Sequence, residues 1–184
     1  MFRIAFIAAF VFVTGCVSGG KPITDYSDRS VVYGWIDVSE IQGNHLFSAT
    51  IRQYSPPTDS PYYGMAIKKY AGGYLLYHHG VSRGKVELDQ LSLQSCLGVL
   101  CSNTINQYSF SQFADSPGQV NVSRPGVYYM GAFALKKERG GLFRVGEFSV
   151  HRISGPAKSG MLKQILADAP SGHPVVAQRI QAAM

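Results

Sequence analysis

Several patterns that identify common protein classes are missing from this 184-residue sequence. It has no glycine-rich phosphate loop, no C-x-x-C pair and no four-ligand cysteine–histidine set. It also has no internal repeat and no low-complexity tract. Hydrophobic residues make up 46% of the chain, which argues against disorder over most of its length. The sequence therefore predicts a folded domain, with no cofactor and no metal.

The one long apolar run lies near the N-terminus, where residues 4–13 (IAFIAAFVFV) follow Arg3. A short positive segment before an apolar segment is the layout of an export signal. Ten helical residues rise about 15 Å, roughly half the hydrocarbon thickness of a bilayer. The run is therefore too short to be a membrane span.

The run ends at Val13-Thr14-Gly15-Cys16, which resembles the lipobox of bacterial lipoprotein precursors. This resemblance covers the leader only. It implies that residues 1–15 are a cleaved signal peptide and that Cys16 carries diacylglycerol and a further acyl chain such as palmitate. Val17 stands where enteric lipoproteins kept in the inner membrane have aspartate, so the outer membrane is expected. The alternative is a secreted protein whose leader happens to precede a cysteine.

Two further segments follow from this assignment. Residues 16–30 are polar with a glycine pair, which predicts a lipidated N-terminus and a flexible tether. Residues 31–184 are predicted to form one β-rich domain. Without the leader, 184 − 15 = 169 residues remain, enough for one domain with its own core.

The three cysteines are consistent with export. If Cys16 carries lipid, Cys96 and Cys101 remain as a pair, and Gly98 between them allows the chain to turn. An oxidising compartment favours a disulfide, which would stabilise the fold by about 2 kcal/mol through loop closure.

The formal charge of +6 is basic, a balance often seen in nucleic-acid-binding proteins. Export argues against a nucleic-acid partner, and none is expected. The counter-charges of the envelope are anionic lipid head groups, lipopolysaccharide phosphates and acidic wall polymers. The simpler interpretation is that the charge keeps the domain soluble.

Short runs rich in aromatic and β-branched residues, separated by turn signals, predict strands. These runs are residues 31–38, 46–54, 63–70, 74–78, 104–110 and 120–122. Residues 85–93 fit neither the strand nor the helix period. Regular short strands favour an antiparallel β-sandwich. After Gly155-Pro156, helical spacing predicts two short C-terminal helices within residues 158–184, with Pro174 in the first turn of the second.

Residues 127–135 and 142–152 flank the loop KKERGG and are predicted to form a hairpin. Pairing Leu135 with Leu142 sets Gly131 opposite Gly146. If side chains alternate strictly along residues 127–135, one face of this strand points inward. That face carries Val127, Tyr129, Phe133 and Leu135. We hypothesise that an aromatic side chain from a neighbouring element, such as Trp35, covers the gap beside the glycine pair.

One enzyme pattern is present: Gly80-Val81-Ser82-Arg83-Gly84 matches G-x-S-x-G, the serine elbow of many hydrolases. Ser82 would be the nucleophile. The candidate partners for a triad are His151 or His173 with Asp115 or Asp168. No convincing helix follows the elbow and the β/α alternation of that fold is missing, so a glycine-flanked loop is preferred.

Other chemistry-bearing residues have simpler explanations. His78 and His79 are adjacent on a predicted strand and point to opposite faces, so they are not expected to share a metal ion. The eleven tyrosines, with Tyr62 among those on or beside predicted strands, fit half-buried strands, although a tyrosine-lined surface for a glycan or a protein stays open. We interpret the basic residues of the strand edges and turns as solvated charges. They are Lys68, Lys69, Lys136, Lys137, Arg139 and Arg144.

The sequence thus predicts a lipid-anchored envelope protein that acts as a non-enzymatic binding or assembly module on an envelope protein or glycan. Two alternatives remain. One is a binder of glycan or anionic polymer through a tyrosine-rich or basic surface, and the other is a serine hydrolase using Ser82.

Overall fold

The computed structural model describes residues 23–41, 45–97, 100–110, 117–137 and 148–184. In these ranges the chain forms ten strands followed by two helices. The strands are β1 (Ser30–Glu40), β2 (His45–Ser55), β3 (Tyr62–Gly64), β4 (Ala66–Tyr70), β5 (Gly73–Val81), β6 (Gly84–Leu97), β7 (Leu100–Ser109), β8 (Val120–Val122), β9 (Val127–Lys137) and β10 (Phe148–Arg152). The helices are α1 (Lys158–Ala167) and α2 (Pro174–Ala182).

The strands form two sheets packed face to face. Sheet A has the order β10-β9-β1-β5-β4, and sheet B has the order β3-β2-β6-β7 with β8 paired to β6. The predicted mainly-β sandwich with two C-terminal helices is confirmed. One strand pair, β1 with β9, is parallel.

Two apolar layers hold the three-layer structure together. The first lies between the sheets and contains Val32 and Ile36 of β1. The second lies between sheet A and the helices and contains Val31 and Tyr33 of the same strand. β1 is thus buried on both faces, which explains its nearly continuous apolar sequence.

The helices bury the residues that their spacing predicted. α1 buries Met161, Leu162 and Ile165 against sheet A. α2 begins at Pro174, whose missing N–H costs nothing in a first turn, and it buries Val176 and Ile180. No helix in the described ranges is long and apolar enough to cross a membrane.

One strand prediction is wrong, and the stretch that fitted neither period has a structural explanation. Residues 63–70 are not one strand: β3 belongs to sheet B and β4 to sheet A, and the buried Met65 forms the corner between them. In β6 the pairing shifts between Thr50↔Gln90 and Ile51↔Leu88, which inserts Asp89 as an extra residue. This bulge allows apolar residues on both sides of it to face inward, so residues 85–93 fitted no single period.

The predicted C-terminal hairpin exists, but its predicted register is wrong. β9 and β10 are antiparallel, with Phe148 opposite Lys137 and Val150 opposite Leu135. Leu135 therefore does not pair with Leu142. Leu142 and Gly146 lie outside the described residues.

The single inward face predicted for β9 is also wrong, because the strand carries a bulge at Gly131. Tyr33 pairs with Tyr129, whereas Trp35 pairs with Ala132, so β9 holds one residue more than β1 over this stretch. Val127 and Tyr129 consequently face the helices. Phe133 and Leu135, beyond the bulge, face sheet B.

The hypothesis that Trp35 covers Gly131 is wrong as well. The Phe133 ring of the same strand covers this glycine: its Cζ lies 3.0 Å from the position that a Cβ at Gly131 would occupy. Trp35 packs instead on Gly73 of β5. Both glycines therefore make room for an aromatic ring, but not for the predicted one.

We expect Gly131→Leu to lower the free energy of unfolding by about 2–3 kcal/mol. Gly131 has φ +119°, a conformation that side-chain-bearing residues rarely adopt, and the new side chain would press on Phe133. Urea denaturation followed by circular dichroism measures the change. Gly64→Leu, at a site with open space around it, is the matched control and should change stability by less than about 0.5 kcal/mol. Equal stability of Gly131→Leu and wild type would contradict the bulge.

The predicted tether is held on the domain over its C-terminal part. The Arg179 guanidinium donates hydrogen bonds to the backbone oxygens of Tyr26, Ser27 and Arg29 at 2.8, 2.5 and 2.6 Å. Arg83 forms an ion pair with Asp28 at 2.7 Å. We call residues 23–29 the N-terminal strap.

The disulfide expected from the cysteine pair is present. Cys96 and Cys101 are joined at the turn between β6 and β7, with their Cα atoms 4.0 Å apart. The bond thus closes the end of this hairpin.

Candidate functional site

The exposed large hydrophobic residues of the described chain concentrate on sheet B. Phe47 and Tyr62 are 56% and 57% exposed, and Tyr54, Leu100 and Ile105 are also exposed. The sixth residue of this kind, Met184, is at the C-terminus. Since α1 and α2 cover sheet A, the outer face of sheet B is the surface that carries exposed apolar groups.

One end of this face is a row of three side chains across three strands. Arg52 of β2 lies opposite Tyr62 of β3 on one side and opposite Glu87 of β6 on the other. Tyr54 is the extra residue of a bulge between Gln53 and Ser55, and its side chain is exposed whereas that of Gln53 is buried. Because Tyr62 lies opposite Arg52, two residues before Tyr54, both tyrosines lie at this end of the face.

The one arginine of this row lies beside two carboxylates. Arg52 Nη2 lies 2.6 Å from Glu87 Oε1, and Arg52 Nε lies 3.8 Å from Asp89 Oδ1. The hydrogen bond to Glu87 raises the pKa of Arg52, so the guanidinium stays charged. Burial raises the pKa of Asp89. The Arg52 Nε atom is buried and has no hydrogen-bond partner in the described chain.

The middle of the face is polar and uncharged. Thr50 lies opposite Gln90, and Ser48 opposite Ser92, which pairs in turn with Gln107. None of these five side chains has a hydrogen bond within the described ranges. Ser92 is only 5% exposed. We call Thr50, Ser48, Gln90, Ser92 and Gln107 the polar strip.

The far end of the face is apolar again. Phe47 is the extra residue of a bulge between Leu46 and Ser48. Ile105 of β7 lies opposite Gln94. Phe47 and Tyr54 are seven positions apart, which is about 23 Å along a strand. The face is therefore an elongated polar strip with aromatic residues at both ends.

Ser82 does not occupy a serine elbow. It lies in the turn between β5 and β6, so the chain runs strand–turn–strand instead of strand–turn–helix. Its hydroxyl accepts a hydrogen bond from the Arg29 guanidinium of the strap. A guanidinium cannot act as the general base that a serine nucleophile needs.

The predicted triad partners are not gathered around Ser82. Nε2 of His151 is hydrogen-bonded to Oγ of Ser149 at 2.9 Å. The His173 ring packs on the Tyr26 ring, with 4.6 Å between the ring centres. Asp168 accepts a hydrogen bond from Tyr77 at 2.6 Å and pairs with Lys68 at 3.0 Å. Asp115 lies outside the described residues. The geometry therefore gives the hydrolase alternative no support.

His78 and His79 point to opposite faces of β5. The His78 ring packs on Tyr63 at 5.4 Å, and its Nδ1 lies 3.0 Å from the Gly64 oxygen. The His79 ring packs on Tyr77 at 5.3 Å, beside α1. In the described ranges no group of three or more histidine, cysteine or acidic residues could hold a metal ion.

We expect the melting temperature to fall between about pH 7.5 and about pH 5 because of these two histidines. Burial lowers the pKa of His78 and of His79, so the unfolded chain binds protons more readily than the folded chain. Their contribution to stability is complete above the unfolded pKa of about 6.5 and is lost as the pH falls below it.

Calorimetry at a series of pH values measures this effect. The double variant His78→Gln/His79→Gln should show a weaker pH dependence over this range, whereas His151→Gln, at an exposed histidine, should keep the wild-type dependence. Asp168, whose pKa is lowered by its bond from Tyr77, loses its contribution only in stronger acid. A wild-type melting temperature that stays constant down to about pH 5 would contradict the prediction.

The tyrosines do not form one surface. Tyr33, Tyr74 and Tyr77 are buried, whereas Tyr54 and Tyr62 are exposed. The sequence singled out Tyr62 but missed Arg52 and Tyr54, although their alternation with buried residues in residues 46–54 places them on the outer face.

The basic residues are likewise dispersed. Lys68 pairs with Asp168, and Lys136 pairs with Glu40 at 3.5 Å. Arg139 and Arg144 lie outside the described residues. A continuous basic surface is not seen in the described ranges, which weakens the case for an anionic polymer.

An open cleft of about 800 Å³ lies elsewhere, at the end of the sandwich beside the turn between β4 and β5. Its charged group is Lys69, whose Nζ is 6.0 Å from the centre of the Tyr74 ring. It lacks the cluster of converging polar side chains that marks a ligand pocket. The outer face of sheet B is therefore the better candidate site.

Comparisons with known proteins add little. No protein-family model and no curated protein matches the sequence. A crystal structure of a proposed cell adhesion protein from Bacteroides fragilis is similar over 71% of this chain, with a TM-score of 0.37 and 10% sequence identity. The chain spans about half (48%) of the length of that protein. This likeness is too distant to indicate a function.

Proposed function

We propose that this protein is a lipid-anchored, non-enzymatic binding module of the cell envelope, and that it contacts its partner with the outer face of sheet B. One observation carries the proposal. Five of the six exposed large hydrophobic residues of the described chain lie on sheet B. Clustered exposed apolar groups mark interaction surfaces.

The composition of the face supports binding rather than catalysis. Aromatic residues and arginine are enriched in binding interfaces, whereas unpaired charges are depleted. The outer face carries Phe47, Tyr54 and Tyr62, and its arginine is compensated by Glu87. None of these groups forms a nucleophile–base pair of the kind that acyl transfer requires.

The anchor would keep this face close to a membrane. Six residues separate Cys16 from Ile23, where the described strap begins, and they reach at most about 25 Å. Acyl chains on Cys16 would hold the chain stably, at about 0.8 kcal/mol per buried CH₂ group. Because Val17 follows the cysteine, we place the anchor in the outer membrane.

Metabolic labelling with radioactive palmitate tests the anchor. The wild-type chain should be labelled and should sediment with the outer-membrane fraction. Cys16→Ser should lose the label and the fractionation, while Ser18→Ala, the matched control, should keep both. An unlabelled wild-type chain, or a mature chain that begins with a free thiol, would overturn the proposed location.

A photo-crosslinking residue tests the face in permeabilised cells, to which purified protein has access. Placed at Phe47, it should give one dominant product that excess purified wild-type protein competes away and that Tyr62→Asp protein does not. The same residue at Met184, which is exposed but away from sheet B, should not give this product. Equal products from both positions would contradict the assignment of the face.

A further inference from the structure

We infer that the outer face of sheet B binds an uncharged, linear glycan laid along β2 from Tyr54 to Phe47. This inference rests on the proposed function and names the ligand of the same face. Three features of the face carry it: the aromatic ends, the polar strip between them and the absence of charged side chains from that strip.

The aromatic ends suit sugar rings. A tyrosine ring offers a flat apolar face for the C–H side of a pyranose and a hydroxyl for its polar edge. Tyr54 and Tyr62 are both exposed and lie at the same end of the face, where each offers a ring for stacking. Phe47, about 23 Å further along, offers a second stacking ring.

The polar strip supplies hydrogen-bonding groups where a glycan would pass. Its hydroxyl and amide side chains can donate as well as accept, which matches the hydroxyl groups of sugars. All five lack a side-chain hydrogen bond within the described chain. Ser92, at 5% exposure, is the most buried residue of the strip. Beside Thr50, Gly64 leaves open space that a polymer can use.

The charge of the face favours a neutral ligand. Arg52 is paired with Glu87, and the polar strip has no charged side chain. An anionic polymer or lipid head group would find no free cation in the strip. A protein partner would favour a single apolar centre with a polar rim, whereas here the apolar groups are at the two ends and the centre is polar.

Isothermal titration of the full-length protein in detergent with the uncharged β-1,4-linked hexasaccharide of N-acetylglucosamine tests the inference. We expect saturable binding whose Kd does not change between low and high salt, because no charges are paired. Tyr54→Ala and Tyr62→Ala should each weaken binding by about tenfold. Thr50→Val, which keeps the shape and removes the hydroxyl, should weaken it about fivefold. Met184→Ala is the matched control and should bind as the wild type does.

Three results would overturn the inference. They are no binding of the hexasaccharide, equal binding by the Tyr54→Ala/Tyr62→Ala double variant, and tighter, salt-sensitive binding of a hexamer of galacturonate. If the hexasaccharide fails while the competed crosslink at Phe47 persists and proves to be a protein, the face binds a protein: the glycan is wrong and the proposed function stands. If both fail, the binding face itself is wrong.

Discussion

Trp35→Ala should lower the free energy of unfolding by about 4 kcal/mol, the largest effect expected from a single truncation in this chain. Trp35 is 7% exposed and lies in the layer between sheet A and the helices. Its indole N–H also donates a hydrogen bond to the Tyr70 oxygen at 2.8 Å. The substitution removes a large packed ring and leaves a turn carbonyl without its donor.

Urea denaturation followed by circular dichroism is the suitable measurement, since the chain has one tryptophan and the variant loses that fluorophore. Trp35→Phe separates the two contributions, because it keeps most of the ring and removes the N–H. Trp35→Phe should lower the free energy of unfolding by about 1–2 kcal/mol. A loss below about 1 kcal/mol for Trp35→Ala would show that the second apolar layer does not depend on this ring.

Gly73→Ala should lower the free energy of unfolding by about 3 kcal/mol, although it adds a single methyl group. A Cβ at Gly73 would lie 2.4 Å from Cζ2 of Trp35 and 2.5 Å from the backbone oxygen of Ile36. The ring could shift, but the backbone oxygen belongs to the central strand of sheet A and cannot. The measurement is the same urea titration, with Gly126→Ala as control, because a Cβ there meets its nearest neighbour at an ordinary 3.4 Å.

Combining the two sites tells how they interact. If Trp35 accounts for part of the clash, Gly73→Ala should lower the free energy of unfolding by less in a Trp35→Leu background than in the wild type. The clash with Ile36 should remain in both backgrounds. A Gly73→Ala protein as stable as the wild type would contradict the close approach of β1 and β5.

The sequence was informative where the periodicity is regular. The helical spacing of Met161, Leu162 and Ile165 predicted α1, and Pro174 predicted the start of α2, because local propensity and tertiary packing agree there. The disulfide between Cys96 and Cys101 followed from the cysteine count once Cys16 was assigned to lipid.

The sequence was misleading where the backbone inserts a residue. Alternation assumes that successive side chains take opposite faces, and one extra residue reverses every face beyond it. Gly131 in β9 and Asp89 in β6 both do this. Such bulges depend on the pairing strand, so the sequence of one strand alone does not reveal them.

The candidate site was predicted only in part. Tyr62 was noted as a surface candidate, but the contribution of Arg52 depends on Glu87, which is 35 residues away in sequence and opposite in the sheet. Ser82 drew notice as a five-residue pattern, yet its meaning depends on the element that follows, and that element is a strand. Local pattern cannot supply contacts between distant strands.

The parallel pair at the centre of sheet A has a consequence for how this chain reaches its folded state. Val31 is made early in synthesis, but its partner Val127 follows 127 − 31 = 96 positions later. Until then one edge of this strand, which is buried on both faces in the folded domain, has nothing to pair with, and such edges promote aggregation. Newly made chains should therefore need a holding chaperone, and slowing elongation before β9 should increase the insoluble fraction.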